Sequence, residues 1–182
     1  MLAELDIRQL EVVSGDLVFS TLRSLPEIQL SLLELIVGEL RLSGMDALES
    51  ARFDMLDRAF AVNLHYNMML NDLHLPMLTT IPADIHFLSN TELLHLQLDS
   101  LNYVGGSLIV ESHPKLFQTE FGELQLIGGN VQISQNDSLL DLSINAQNIG
   151  GSIFISDNES LESVEFANTL TVSNSVQVSE NA

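Results

Sequence analysis

The feature that most constrains this chain is an internal repeat of 22 or 23 residues. Residues 104–110, 127–133 and 149–155 share one order: an apolar residue, two glycines, a polar residue and three residues of which the first and last are apolar. The first apolar residue after the glycines recurs at that step along the whole chain: Leu17, Leu40, Val62, Ile85, Leu108, Val131, Ile153 and Val176. Because a unit this short cannot bury its own apolar face, the repeat predicts stacked units that share one core.

Fixed columns within the unit predict short strands. The position two residues after the anchor is always apolar: Phe19, Leu42, Leu64, Phe87, Val110, Ile133, Ile155 and Val178. The position eight residues after it is always leucine: Leu25, Leu48, Leu70, Leu93, Leu116, Leu139 and Leu161. Alternating apolar residues broken by Gly, Asn, Ser and Asp are typical of strands. We therefore predict an all-β fold, a β-solenoid of about eight coils that forms one repeat domain over residues 1–182.

Two signals predict where each coil turns. The paired glycines suit a sharp corner, where a positive φ costs glycine nothing. A second column is mostly asparagine, whose side chain can turn inward and satisfy the backbone of the neighbouring coil. It reads Leu22, Met45, Asn67, Asn90, His113, Asn136, Asn158 and Asn181. Phe60 and Ala83 replace the expected glycines in two units. We therefore expect a bulge or an irregular corner near residues 54–62, and another around Pro82.

The charge of the chain excludes two classes of partner. Six Lys and Arg residues against 25 Asp and Glu residues give a net charge of −19, and Lys115 is the only basic residue after Arg58. Phosphate backbones and anionic lipids would repel such a chain, so we predict no nucleic-acid partner and no membrane insertion. The absence of cysteine excludes disulfides, thiolate catalysis and cysteine zinc sites. No apolar run approaches about 18 residues, and the N-terminal residues show no signal peptide.

The consensus apolar-x-x-Ile-Gly-Gly-x-Leu-x-Ile-x-x-Asn-x-x-Leu resembles the receptor L-domain repeat, a relative in form of the leucine-rich repeats. The resemblance is strongest over residues 101–182. It implies a right-handed β-solenoid, used for binding or as a scaffold in a cell-surface or secreted protein and not for catalysis. Receptor ectodomains of this kind carry cysteines and caps that this chain lacks, so a growth-factor-receptor role is not implied. Because the chain starts and stops in register with the repeat, we expect it to be a fragment of a longer protein.

The histidines are candidate metal ligands. Stacking predicts His65 beside His86 on adjacent coils, and His74 near His95 on the next face. No spacing among them matches a dedicated zinc motif. We interpret these four as solvent-facing side chains, and His113 as a hydrogen-bonding member of the asparagine column.

Stacked carboxylates are candidate calcium ligands or catalytic acids. The repeat places Asp137 beneath Glu159 and brings Asp141 close to Glu162. A divalent cation would relieve the repulsion, but no calcium-loop spacing is present, so we interpret the group as a solvated acidic edge. A glycan-acting β-helix enzyme is an alternative, but it needs a cation to stabilise developing charge, and basic residues are almost absent here. We predict no catalytic residue, no cofactor and no metal site.

Two asparagines match the N-glycosylation acceptor pattern, at Asn136-Asp137-Ser138 and Asn158-Glu159-Ser160. Both lie in the column expected to face inward, so we attribute the matches to the repeat.

Strand residues that point away from the core are free to recognise a ligand. The outward column that follows the glycine pairs is the most varied, and its predicted ligand-binding members are Asn63, His86, Ile109, Gln132 and Phe154. Polar groups around two apolar side chains suit a protein or glycan ligand. We predict a non-enzymatic binding or scaffold module, extracellular or at the cell surface, that uses this exposed sheet. An intracellular protein-interaction domain of the leucine-rich-repeat kind is the alternative.

Overall fold

The structure, a computed structural model, describes residues 2–121, 124–167 and 169–182. Every regular element in these ranges is a β-strand, and the strands stack in parallel into a β-solenoid of about seven turns of about 23 residues. The predicted all-β solenoid is confirmed, whereas its right hand and its count of eight coils stay predictions. No helix long and apolar enough to cross a membrane occurs in the described ranges.

Each turn passes through three faces, with strands numbered in chain order. Face A follows the glycine corner: β2 (Leu17–Ser20), the second halves of β4 (Leu35–Ser43) and β6 (Arg58–His65), β9 (Ile85–Leu88), β12 (Leu108–Glu111), β15 (Val131–Ser134), β18 (Ile153–Ser156) and β21 (Val176–Ser179). Face B comes next: β3 (Glu27–Gln29), β5 (Ser50–Arg52), β7 (Asp72–His74), β10 (His95–Gln97), β13 (Gln118–Glu120), β16 (Asp141–Ile144) and β19 (Ser163–Phe166). Face C leads back to the glycine corner: β1 (Val12–Val13), the first halves of β4 and β6, β8 (Thr80–Ile81), β11 (Tyr103–Val104), β14 (Leu126–Ile127), β17 (Asn148–Ile149) and β20 (Thr171–Val172).

Parallel pairing holds the coils in register. Leu108 on β12, for example, pairs with Ile85 on β9 and with Val131 on β15. Each residue therefore lies beside its equivalents in the neighbouring coils, and like side chains form ladders. Faces A and C join through β4 and β6 into one 14-stranded sheet, whereas face B divides into a three-stranded and a four-stranded sheet.

The core lies between the three faces and consists of the apolar columns that the repeat predicts. The leucine column is buried in every coil, with at most 5% of any side chain exposed: Leu25, Leu48, Leu70, Leu93, Leu116, Leu139 and Leu161. Burial of such ladders is the main force that holds the coils together, because a single coil buries little apolar surface.

The predicted irregularity near residues 54–62 is a register shift between β4 and β6. Ile36 pairs with Ala59 and Glu39 pairs with Ala61, so two residues of β4 oppose Phe60 alone. The extra residue of this bulge thus lies in β4, in the preceding coil, and β6 itself is continuous. Beside Pro82, β6 and β8 pair at a single position.

Candidate functional site

Face A brings all five predicted ligand-binding residues together. The register places Asn63 beside His86, His86 beside Ile109, Ile109 beside Gln132, and Gln132 beside Phe154. These residues form one row across five strands, which we call the outward ladder, with neighbours about 4.8 Å apart. All five are half-buried, because their neighbours in the adjacent strands cover their flanks.

The polar side chains of this face are tied to one another. Glu39 accepts hydrogen bonds from Arg41 and from Asn63. Gln132 Nε2 donates to Glu111 Oε2 over 3.3 Å. Face A therefore presents a hydrogen-bonded polar surface that the two apolar members of the outward ladder interrupt.

The structure brings one of the two predicted histidine pairs into ring contact. The rings of His65 and His86 meet edge to face with centroids 4.5 Å apart, as their predicted adjacency requires. Burial, then the charges of His86 and Arg41, lower the pKa of His65. His74 and His95 both lie on face B, but their strands belong to different sheets. Among the described residues, no three His, Asp or Glu side chains lie together as a metal site would require.

The asparagine column turns inward as predicted and connects the coils. Asn136 is fully buried, accepts from the His113 backbone N–H at 3.1 Å, and donates through Nδ2 to the Val110 carbonyl at 3.1 Å. Its amide also donates to Asn158 Oδ1 at 3.2 Å. The same arrangement repeats in other coils, with Asn67 donating to the Leu42 carbonyl. Each amide thus satisfies backbone groups that the corner would otherwise leave unpaired in the core.

His113 replaces asparagine in this column and hydrogen-bonds as predicted. Its Nε2 lies 3.2 Å from Asn90 Nδ2, and its side chain is fully buried. Burial lowers the pKa of His113 to about 4, against the raising effect of hydrogen bonds with Asn136 and with the Glu111 backbone. The ring is therefore neutral at pH 7, and Nε2 accepts the hydrogen bond from the Asn90 amide.

The two glycosylation patterns are inaccessible in the folded chain. Asn136 and Asn158 are 0% exposed, and both amides are engaged in the column. The repeat accounts for both matches, as predicted.

The explanation offered for the paired glycines is wrong, and the structure gives another. Among the described glycines, only Gly44 has a positive φ, and it is not a member of a pair. A Cβ on Gly128 would instead lie well under 3.0 Å from the backbone of Gly105 in the preceding coil. A Cβ on Gly129 would collide with Ser107 Oγ, which accepts from the Asn130 N–H at 3.0 Å. The glycines thus permit close approach of two backbones and of a capping side chain.

Positive φ is found at the other corner. The residue immediately before the asparagine column adopts φ between 54° and 62° in every coil: Thr21, Gly44, Tyr66, Ser89, Ser112, Gln135, Asp157 and Glu180. This left-handed residue rotates the next side chain into the core, which is why asparagine there points inward. The sequence does not reveal this conformation, because the residue type at this position varies and only one of the residues is glycine.

A groove of about 690 Å³ follows this corner along the solenoid, and it was not predicted from the sequence. One wall is the left-handed row from the third coil onward: Tyr66, Ser89, Ser112, Gln135, Asp157 and Glu180. The other wall is the residue two positions later: Met68, Thr91, Pro114, Asp137 and Glu159. We call it the corner groove. In the sequence, the wall residues can be recognised only by their position immediately before and after the asparagine column.

The two predicted pairs of stacked carboxylates lie in different parts of the structure. Asp137 and Glu159 both line the corner groove, in adjacent coils, as the repeat predicts. Asp141 lies directly beside Ser163, which donates to it through Oγ, so Glu162 is one residue removed from that pairing.

No protein-family model matches the chain, and no solved structure matches it significantly. The solenoid of stacked repeats is established by the geometry above. Membership of the receptor L-domain or leucine-rich-repeat families stays a prediction.

Proposed function

We propose that this chain is a non-enzymatic binding or scaffold module of a cell-surface or secreted protein, and that it recognises a protein or glycan through face A. The observation that supports this most is the outward ladder. It places five chemically different side chains in register on one sheet, where adjacent positions can vary without disturbing the buried columns.

The composition of the ladder fits recognition better than packing. Ile109 lies between His86 and Gln132, and Phe154 follows Gln132, so each apolar side chain is flanked by hydrogen-bonding groups. An apolar anchor within a polar rim is the arrangement in which truncation of the anchor costs the most binding energy. Flat polar arrays with one aromatic side chain are also suited to stacking against a sugar ring.

The test is a binding screen against a glycan array and a panel of purified cell-surface ectodomains. For each ligand retained, the double variant Ile109→Ala/Phe154→Ala should weaken binding at least about tenfold, as expected for two anchors. The matched variant Leu126→Ala/Phe117→Ala removes similar side chains from face C and from the residue just before β13 of face B, where they are 36% and 48% exposed. It should bind as the parent does.

Two results would contradict the proposal. If the matched variant lost as much affinity, or the ladder variant none, the contact surface would lie elsewhere. If the parent turned over a polysaccharide in a reducing-end assay, the enzyme alternative would replace it. Unfolding midpoints of both variants, measured in parallel, show whether a loss of binding comes from misfolding.

A further inference from the structure

The corner groove changes in chemistry along its length. At one end Tyr66 and Met68 are apolar and 54% and 46% exposed. The middle carries small hydroxyl side chains and a proline. The opposite end is lined by four carboxylates, two from each wall: Asp137, Asp157, Glu159 and Glu180. A ligand in the groove would therefore meet an apolar site and an anionic site in a fixed order.

The carboxylates of the groove have no cationic partner within the described residues. All six Lys and Arg side chains are paired with other acids: Arg8 with Asp6, Arg23 with Asp46, Arg41 with Glu39, Arg52 with Asp72, Arg58 with Asp57, and Lys115 with Glu92. Like charges one coil apart repel each other. Within the described residues no Lys or Arg side chain is left to offset this repulsion, so the acidic end can accept positive charge from a ligand.

The dimensions of the groove favour an extended chain as the ligand. From Tyr66 to Glu180 it crosses five coil steps, or about 24 Å at 4.8 Å per step. Its wall residues are two apart in sequence, so their Cα atoms are at most about 7 Å apart, much less than the length of the groove. An extended peptide of about seven residues would fill the length.

We propose that the corner groove binds an extended basic segment of a protein partner. An apolar side chain of that segment contacts Tyr66 and Met68, and two or more Lys or Arg side chains lie against the four carboxylates. The groove contains no residue of the outward ladder, so this site is separate from the one proposed above. Charge complementarity with a chain of net charge −19 also speeds the encounter with a basic segment.

The probe is a fluorescein-labelled octapeptide with Leu at position 1, Lys at positions 5 and 7, and Gly or Ser elsewhere. The two Lys residues are four and six residues from Leu, which is about 13 and 20 Å at about 3.3 Å per residue. These distances match three and four coil steps of the groove, about 14 and 19 Å. The reversed sequence is measured as well, because the groove can be entered in either direction. Fluorescence anisotropy at about 0.15 M salt gives the affinity under screening conditions that weaken nonspecific attraction.

The decisive variant is Asp137→Asn/Glu159→Gln, which should weaken peptide binding at least tenfold. Its matched control, Glu162→Gln/Glu165→Gln, removes the same charge from exposed positions outside the groove and should change affinity less than twofold. Met68→Ser should weaken the Leu peptide several-fold but leave a peptide with Ser at position 1 unaffected. Met77→Ser, which removes a side chain that is 50% exposed elsewhere, is the control for that change.

Three outcomes would overturn the proposal. Equal losses in the groove variant and its control would mean attraction to the whole acidic chain, without a docking groove. Failure of both peptide directions to exceed a Lys→Gln peptide would exclude the basic segment. Displacement of the peptide by calcium ions at equal ionic strength, with saturable calcium binding to the protein alone, would make the acidic end a cation site. Ile109→Ala/Phe154→Ala should leave peptide binding intact, which separates this result from the test of face A.

Discussion

The two corners of each coil bring neighbouring backbones together by opposite means. At the glycine corner, side chains are removed, so that Gly128 lies against the backbone of Gly105. At the asparagine corner, a side chain is inserted, and Asn136 fills the space between the backbones of two coils. At the glycine corner a side-chain acceptor serves a backbone N–H of the following coil, and at the asparagine corner it serves a backbone N–H of the preceding coil.

The corners differ in exposure, and this difference explains their sequences. At the glycine corner the acceptors Asp84 and Asn130 are exposed and Ser107 is half-buried, whereas Ser152, which accepts from Ser175 in the last coil, is buried. Water can replace an acceptor there, so several residue types suffice. At the asparagine corner the acceptor is fully buried and must also donate to a carbonyl. An amide serves both needs, which explains why asparagine fills the column from the third coil onward except at His113, whereas the first two coils carry Leu22 and Met45 there.

The largest expected loss of stability comes from a substitution that disrupts the glycine corner. Gly128→Ala places a Cβ against the backbone carbonyl of Gly105, which can move away only if the coils separate. We expect a loss of about 3 kcal/mol or more in the free energy of unfolding, measured by chemical denaturation. Gly15→Ala is the matched control, because nothing lies within 4 Å of the point that its Cβ would occupy and its φ is not positive. Equal losses in the two variants would refute close approach as the reason for glycine.

The next effect compares the two corners directly. Asn136→Ala leaves the His113 N–H and the Val110 carbonyl unpaired in the core, and should cost about 2–3 kcal/mol. Asn130→Ala removes the acceptor of the Ser152 N–H at the exposed corner and should cost about 0.5 kcal/mol, because water replaces it. Denaturation of both variants in one buffer gives the contrast. If Asn130→Ala were as costly as Asn136→Ala, burial would not distinguish the corners.

The repeat and the inward asparagines could be predicted because both follow from local residue types. Alternating apolar positions specify strands, and a ladder of like side chains requires stacked coils. The outward ladder followed from the same register, since an outward residue at one coil has outward equivalents in all others. These parts of the fold depend on periodicity alone.

The glycine pairs and the corner groove could not be predicted for a common physical reason. Both depend on the path of the backbone at the corners, which sets how closely the backbones of adjacent coils approach and which side chains flank the groove, and a column alignment does not contain that path. Gly128 was expected to adopt a positive φ, whereas Gln135 does so without being glycine. The same left-handed conformation precedes Leu22 and Met45, so it belongs to the path of each coil and not to the asparagine. The stacked structure overrides the intrinsic cost of the left-handed region.

A change of pH tests whether the asparagine corner is buried. His113 has an unfolded pKa of 6.5 and a folded pKa of about 4, because burial disfavours the charged ring. As pH falls below about 6.5 the unfolded chain binds a proton that the folded chain does not, so the free energy of unfolding decreases until about pH 4. Between pH 7.5 and pH 5 this contribution amounts to about 2 kcal/mol.

His113→Asn restores the amide of the column and removes that titration. The difference in unfolding free energy between variant and parent at pH 7.5, where both side chains are neutral, reports packing and hydrogen bonding alone. At pH 5 the variant should gain about 2 kcal/mol relative to the parent, beyond that difference. A difference that does not change with pH would mean that the folded ring accepts a proton as readily as the unfolded one. The asparagine corner would then be open to water, and its contrast with the glycine corner would not rest on burial.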